Sequence, residues 1–324
     1  MQNRRLGKTG YEVSEIGLGC WQLGGDFGPL ADDTATGVLA AAKAQGVNFW
    51  DTADVYGGGV SESRIGSFPS KDGVRVATKV GRNGNLFPDK YTRAGVKESL
   101  QGSARRLGVE TLDLAQLHCV PTQVLRDGEI FGWMDELQRE GLVRFWGASV
   151  ETIEEGLICL QHEGVATLQI IFNLFRQDAA EKLLPLAQEQ NVGIIVRLPL
   201  ASGLLSGKFG RDTHFAVQDH RNYNRDGQAF SVGETFSGLP FETGVALVDE
   251  LKGMVPAGWP MTHLALRWIL DHTAVSTVIA GVSRPEQLAE NVATTQRPPL
   301  PAGLSAQLGA WYKEQVRGKI RDAI

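Results

Sequence analysis

The chain has 324 residues, 42% of them hydrophobic and 21% charged, with a net charge of −5 at neutral pH. That length fills one large barrel or two ordinary domains, and an acidic balance without any basic run excludes a nucleic-acid footprint. Cys20, Cys119 and Cys159 are odd in number and widely scattered, which is neither a disulfide framework nor a metal cluster and points to a reducing cytoplasm.

From the first residue, MQNRRLGKTGYEVSEIG lacks the apolar core of a signal peptide, and no run of eighteen apolar residues follows anywhere, so a soluble chain without membrane contact is expected. RRLGKTGYEVSEI reads as a β-hairpin turning at Lys8-Thr9-Gly10. Short β-rich runs then recur, beginning with EIGLG to Gly19. DDTATGVLAAAKAQG starts on cap-type residues and closes on Gly46, as a helix does, and VNFWD ends at Asp51. VRVATK ends at Lys79. TRAGVKESLQGSARRLG carries a helical stripe of Val96, Leu100, Ala104 and Leu107, and LDLAQLH ends at His118. VRFWGAS ends at Ser149 and LQIIF near Phe172. AEKLLPLAQEQ is a helix bent or restarted by Pro185, before VGIIVR ends at Arg197. A long loop from about Gly210 to Leu239 and two helices separate Arg197 from STVIA, which ends at Ala280 and leads to the helical EQLAENVA. LSAQLGAWYKEQVRGKI reads as a helix outside this rhythm.

The strand ends from Asp51 to Arg197 mostly fall 23 to 39 residues apart, the length of a β-α unit. Eight such units without a composition break predict a (β/α)₈ TIM barrel with an N-terminal β-hairpin and extra C-terminal helices, one domain over residues 1–324. The carboxyl ends of barrel strands converge on one face, so Asp51, Lys79 and His118, with Tyr56 just beyond the second strand, should meet at the mouth. Singly, a strand-end aspartate is usually a cap, a lysine solvated and a tyrosine packing. Their coincidence at successive strand ends is what points to chemistry. An ammonium beside a phenol favours the phenolate and is expected to lower the Tyr56 pKa from roughly 10. Asp51 would partner the buried Lys79, and the His118 imidazole would hold or polarise a carbonyl oxygen. The set has no nucleophile–base pair for acyl transfer, no paired free carboxylates and no metal ligands. A proton donor for a carbonyl oxygen needs a hydride for its carbon, which calls for a nicotinamide cofactor.

At these residues the chain resembles the aldo-keto reductase superfamily over nearly its full length. LGKTGYEVSEIGLGCWQLGG resembles the family's opening, FWDTADVYG its aspartate-tyrosine motif, VATKVG its lysine strand and DLAQLH its histidine strand. PLASGLLSGK and IAGVSRPEQLAEN are similar to its cofactor loops after strands seven and eight. The resemblance implies reduction of aldehydes or ketones, or oxidation of a polyol or sugar alcohol in reverse. It implies Tyr56 as acid, Lys79 and Asp51 as its tuning pair, and His118 as orienter of the carbonyl. NADPH, with NADH also possible, would lie across the mouth on Gly19, Cys20, Trp21, Asp51, Ser149, Gln169 and Arg197. It would continue along Pro199, Leu200, Gly203, Leu205, Gly207 and Lys208, and along Gly281, Ser283, Arg284, Gln287, Glu290 and Asn291. Gln169 would contact the nicotinamide carboxamide. Ser283 is expected to cap a helix with Pro285 in its first turn, beside Arg284 for the 2′-phosphate. Trp21, Tyr56 and His118 would form the substrate pocket, with Phe27 and the loop 210–239 around them and polarity from Asp26, His214 and Arg197.

Three departures from the family pattern stand out. Val150 follows Ser149 where many relatives have asparagine, Arg197 stands where many have a stacking aromatic, and Gly281 replaces a frequent lysine. GLGCWQLGG fails the dinucleotide fingerprint of a doubly wound fold, because Gln22 occupies the third glycine position. Two rivals remain at this stage: a Schiff-base aldolase using Lys79, and a non-catalytic NADP(H)-binding regulatory subunit.

Overall fold

The computed structural model describes residues 1–324. A short antiparallel hairpin, β1 (Asn3–Arg5) and β2 (Glu12–Ser14), turns through a 3₁₀ segment at Gly7–Thr9. Eight parallel strands then close a barrel: β3 (Ile16–Gly19), β4 (Phe49–Asp51), β5 (Arg75–Val80), β6 (Leu112–His118), β7 (Val143–Ser149), β8 (Val165–Ile171), β9 (Gly193–Arg197) and β10 (Val275–Gly281). Each pairs with its neighbour in sequence, and β10 closes on β3. Helices at 32–44, 60–67, 93–107, 129–139, 153–159, 183–189, 241–252 with 261–270, and 285–293 complete the crossovers. The eight strand runs of the sequence are all present.

Strand alternation explains how the interior is filled, because residues two apart share a face. Phe49, Ala77, Leu114, Ile195 and Ile279 form an apolar layer, with Leu6 and Val13 of the hairpin packed against it from below. Two residues on, the same strands present Asp51, Lys79, Gln116, Arg197 and Gly281, so the interior turns polar at the carboxyl ends. The opposite faces (Leu18, Trp50, Val80, Leu117, Trp146, Leu168, Ile194 and Val278) join the larger core beneath the helices. The hairpin plugs the bottom. Leu6 is fully buried and the Lys8 ammonium donates to the Glu163 and Val165 carbonyls at 2.9 and 3.0 Å.

Three helix starts differ from expectation. Helix 32–44 is preceded by Ala31, with Asp32 and Asp33 inside its first turn, where they complement the helix dipole rather than cap it. Helix 285–293 takes Arg284 as its N-cap residue and Pro285 as its first, leaving Ser283 outside. Helix 183–189 starts at Leu183 rather than at Pro185, which occupies the third position of the first turn and so lacks no needed N–H. After helix 304–311 the chain widens into a π turn and then tightens into a 3₁₀ turn ending at Lys319. No helix is long and apolar enough to cross a membrane.

Candidate active site

Asp51, Lys79 and His118 leave adjacent strands into the mouth, and the loop after β4 brings Tyr56 over them. Three glycines follow the tyrosine: Gly57, Gly58 and Gly59 have φ of 58, 62 and 96°. This left-handed run, open to glycine at little cost, turns the chain from Tyr56 into helix 60–67. A Cβ on Gly57 would meet the Gly24 carbonyl oxygen at 2.2 Å, so the loop lies backbone to backbone on the segment after β3. Asp26 fixes the contact by accepting from the Gly57 N–H at 3.2 Å.

A lysine ammonium has three protons to donate, and each has a taker here. They go to an Asp51 carboxylate oxygen, the Thr52 carbonyl at 2.8 Å and the Tyr56 phenolic oxygen at 3.1 Å. The second Asp51 oxygen accepts from Gln169 Nε2 at 2.8 Å and Gln116 Nε2 at 3.1 Å. Both carboxylate oxygens are thus satisfied within a buried pair. Because the phenolic oxygen accepts from Lys79, its own proton is left to point into the cavity. Trp21 stacks on the Tyr56 ring at 5.8 Å between centroids, and His118 meets its edge at 5.9 Å.

Burial alone would depress Lys79, but Asp51 and Tyr56 outweigh it and raise the ammonium above its ordinary 10.5. Burial pushes the Tyr56 phenol up to about 12, against the pull of Lys79. This corrects the expectation of a lowered tyrosine. Desolvating a phenolate costs more than the attraction of an ammonium already shared with Asp51 offsets. Burial, then the charges of Arg82, Lys79 and Arg197, hold His118 well below 6.5, so the imidazole is neutral. Its Nδ1 is buried and has no partner.

These groups open into a cavity of about 470 Å³. Of the residues expected to contact cofactor or substrate, Gly19, Cys20, Trp21, Asp51, Tyr56, His118, Gln169, Arg197, Pro199 and Gly281 line it, as do Asp26 and Phe27. The loop 210–239 contributes Tyr223, Ala229, Phe230, Ser231 and Glu234, whereas His214 stays outside. The cavity also has a charged wall, of which the sequence marked Arg197 but not Arg82, Glu151 or Glu234. Arg82 donates to Glu234 at 2.7 Å and to Glu151 at 3.2 Å. Arg197 donates to the Val150 carbonyl at 3.1 Å and sits 3.6 Å from Glu234. Burial, then the Glu234 charge, raises the Glu151 carboxyl, while Arg82 and Arg197 hold Glu234 low despite its burial. Burial also pushes the Cys119 thiol on this wall up to about 12, so it stays protonated.

The remaining expected cofactor residues do not line the cavity. Ser149 is buried and donates to Gln169 Oε1 at 3.4 Å. With one Nε2 proton committed to Asp51, Gln169 keeps its second N–H and a lone pair on Oε1 for an incoming amide. Leu200, Gly203, Leu205, Gly207 and Lys208 lie in the turn after β9, and the Leu205 side chain is wholly in the core. Gln287 reaches back to the Ser283 N–H at 2.8 Å, and Lys208 pairs with Glu290 at 3.8 Å. Asn291 is buried. Arg284 is exposed and makes no ion pair, so its guanidinium is free for an anion. A nicotinamide dinucleotide fits this donor set: an amide inside, glycines 19 and 281 side by side on the floor, and a free cation at a helix start.

The model of the Aldo/keto reductase family matches residues 15–308. The chain is 31% identical to the aldo-keto reductase YhdN of Bacillus subtilis over 298 residues, 89% of this chain and 87% of that one. It is 29% identical to L-galactose dehydrogenase of Arabidopsis thaliana over 302 residues, 90% of this chain and 86% of that one. Among solved structures it resembles the glycerol dehydrogenase AKR11B4 of Gluconobacter oxydans, with a TM-score of 0.78 at 28% identity, covering 97% and 96% of the two chains. The holo form of the aldo-keto reductase AKR11C1 of Bacillus halodurans superposes with a TM-score of 0.76 at 27% identity, covering 96% of each. The chain belongs to the aldo/keto reductase family of oxidoreductases.

Proposed function

Starting from that membership, we propose that the protein reduces a small aldehyde or ketone to the alcohol at the expense of NADPH, with Tyr56 as proton donor. One observation carries this reading: Lys79 donates to the phenolic oxygen, which leaves the Tyr56 proton facing the cavity beside a neutral His118. A phenol held at about 12 stays protonated at neutral pH, which favours the reductive direction. The bound nicotinamide supplies the hydride that adds to the carbonyl carbon. As that bond forms, the carbonyl oxygen takes the Tyr56 proton, and Lys79 stabilises the phenolate left behind. His118 lines the cavity uncharged and orients the carbonyl oxygen without competing as an acid.

Gln169 and Ser149 would hold the carboxamide, and Arg284 the 2′-phosphate, while the turn carrying Pro199 to Lys208 would cover the pyrophosphate. Against a Schiff base, every Lys79 proton is engaged and its pKa is raised, so the neutral amine is scarce. The cavity's charged wall supports a hydroxylated substrate. An apolar group would strip water from Arg82, Glu151 and Glu234 without replacing its hydrogen bonds, whereas hydroxyls replace them. The names of two similar proteins, a glycerol dehydrogenase and an L-galactose dehydrogenase, fit that reading.

The test is Tyr56→Phe. The variant should bind NADPH normally in a fluorescence titration yet lose kcat by roughly 10²-fold or more. Near-normal turnover would remove Tyr56 as the donor.

A further inference from the structure

The loop 210–239 carries Ser231 and Glu234 to the cavity, and the backbone just beyond them is strained. Phe236, Ser237 and Gly238 are left-handed in succession, with φ of 54, 58 and 83°. Two of the three bear side chains that disfavour this region, and such a run persists only where its neighbours over-determine it.

Ser202 Oγ accepts from the Phe236 N–H at 3.3 Å and Asn173 Nδ2 donates to Ser237 Oγ at 2.9 Å, while residues 321–323 supply the contacts around Gly238. The Arg321 backbone N–H and its Nε both donate to the Gly238 carbonyl at 3.1 Å. Its Nη2 donates to the Leu239 carbonyl at 3.3 Å and the Arg225 carbonyl at 3.2 Å, and Nη1 to Asp226 at 2.5 Å. Asp322 accepts from Ser231 Oγ at 3.0 Å and sits 3.6 Å from the buried Arg176. Arg176 in turn donates to the Ala323 carbonyl at 2.9 Å and the Glu151 carbonyl at 3.4 Å, tying the segment to the exit of β7. The approach is close enough that a Cβ on Gly233 would meet Asp322 Oδ2 at 2.0 Å. No residue of this segment lines the cavity itself.

We propose that Arg321 and Asp322 are positioning residues for the substrate, a strap behind the loop that keeps Glu234 seated on Arg82 and Arg197. Its kinetic readout rests on the reductase reading above. A loosened loop disorders one cavity wall while leaving Asp51, Tyr56, Lys79 and Arg284 in place. The loss therefore falls on substrate binding, not on the proton donor or the cofactor.

The experiment compares Arg321→Met and Asp322→Ala with Arg317→Met, whose guanidinium pairs with Asp178 away from the loop. NADPH affinity, kcat and KM for glyceraldehyde, melting temperature and tryptic cleavage at Arg221 and Arg225 are measured for each. The strap variants should raise KM about 5-fold or more with kcat and NADPH affinity within about 2-fold. Cleavage inside 210–239 should also be about 5-fold faster well below the melting temperature, because local opening has become easier. Arg317→Met should show neither change. Unchanged KM and unchanged cleavage overturn the proposal, as does a uniform fall in melting temperature and kcat with KM intact. If the wild type reduces no carbonyl compound, the reductase reading fails, and the cleavage arm alone decides the strap.

Discussion

Asp51 and Lys79 are a buried ion pair, and a double-mutant cycle on them tests the centre of this site. Their side chains are 2% and 1% exposed. Removing one partner leaves the other charged in low dielectric, which costs about 3–5 kcal/mol. The two single variants are not equivalent. Lys79→Met leaves Asp51 with the Gln116 and Gln169 amides, whereas Asp51→Leu strands both amides and an ammonium together. Asp51→Leu should therefore be the worse. Unfolding entropy of roughly 2.1 cal/mol/K per residue over this chain gives about 0.7 kcal/mol/K, so the loss is about 4–7 °C in Tm. Asp51→Leu/Lys79→Met removes both charges and should melt above Asp51→Leu, with a coupling of about 2–3 kcal/mol. Calorimetry at pH 7 reads all four corners. A double variant whose loss is simply the sum of the two single losses would refute the pair as the organising contact.

Two further predictions concern Arg284 and the loop. Arg284→Ala should weaken NADPH binding by about 10- to 150-fold and leave NADH almost unchanged, since one charge-assisted hydrogen bond is lost; equal effects on both cofactors in paired titrations would mean that Arg284 does not read the 2′-phosphate. His220 is fully buried against Trp21 and Phe27, and burial holds it at about 4 instead of 6.5. Below 6.5 the unfolded chain takes a proton that the folded one refuses, so stability falls as pH drops from about 6.5 to 4, by roughly 3 kcal/mol from this group. His220→Gln should flatten that part of the Tm–pH curve, and an unchanged acid slope would show that the histidine is not its source.

The barrel was legible because its signal is local. Each strand is a short apolar run ending at a polar residue, and each crossover has a helical period or a closing glycine. Asp51, Lys79 and His118 could be picked out for the same reason, as each stands where a run of core residues stops. Gln116 was missed because it sits inside such a run, in LDLAQLH, and only the closed barrel shows its side chain reaching Asp51 across the lumen. Arg82 and Glu234 are 152 residues apart, and no pattern in either neighbourhood announces the other. The sign of the Tyr56 shift was misjudged for a related reason. The attraction of a lysine is visible in a motif, but the desolvation that outweighs it depends on how every surrounding element packs.

Asp51 is also where two parts of the site become one. Its first oxygen holds the lysine that donates to Tyr56, and its second takes the amide of Gln169, which also receives Ser149. The residues read as carboxamide ligands and the proton donor therefore hang on the two oxygens of a single carboxylate. Both oxygens are fully subscribed and the group is buried, so neither side can shift without unpairing a buried charge or a buried amide. Rigidity of this kind suits hydride transfer to a carbonyl, where the carbon must face one group and the oxygen another at fixed separation. The walls that Asp51 does not touch, Arg82, Glu151 and the loop bearing Glu234, are held by ion pairs of their own and can move without unpairing it.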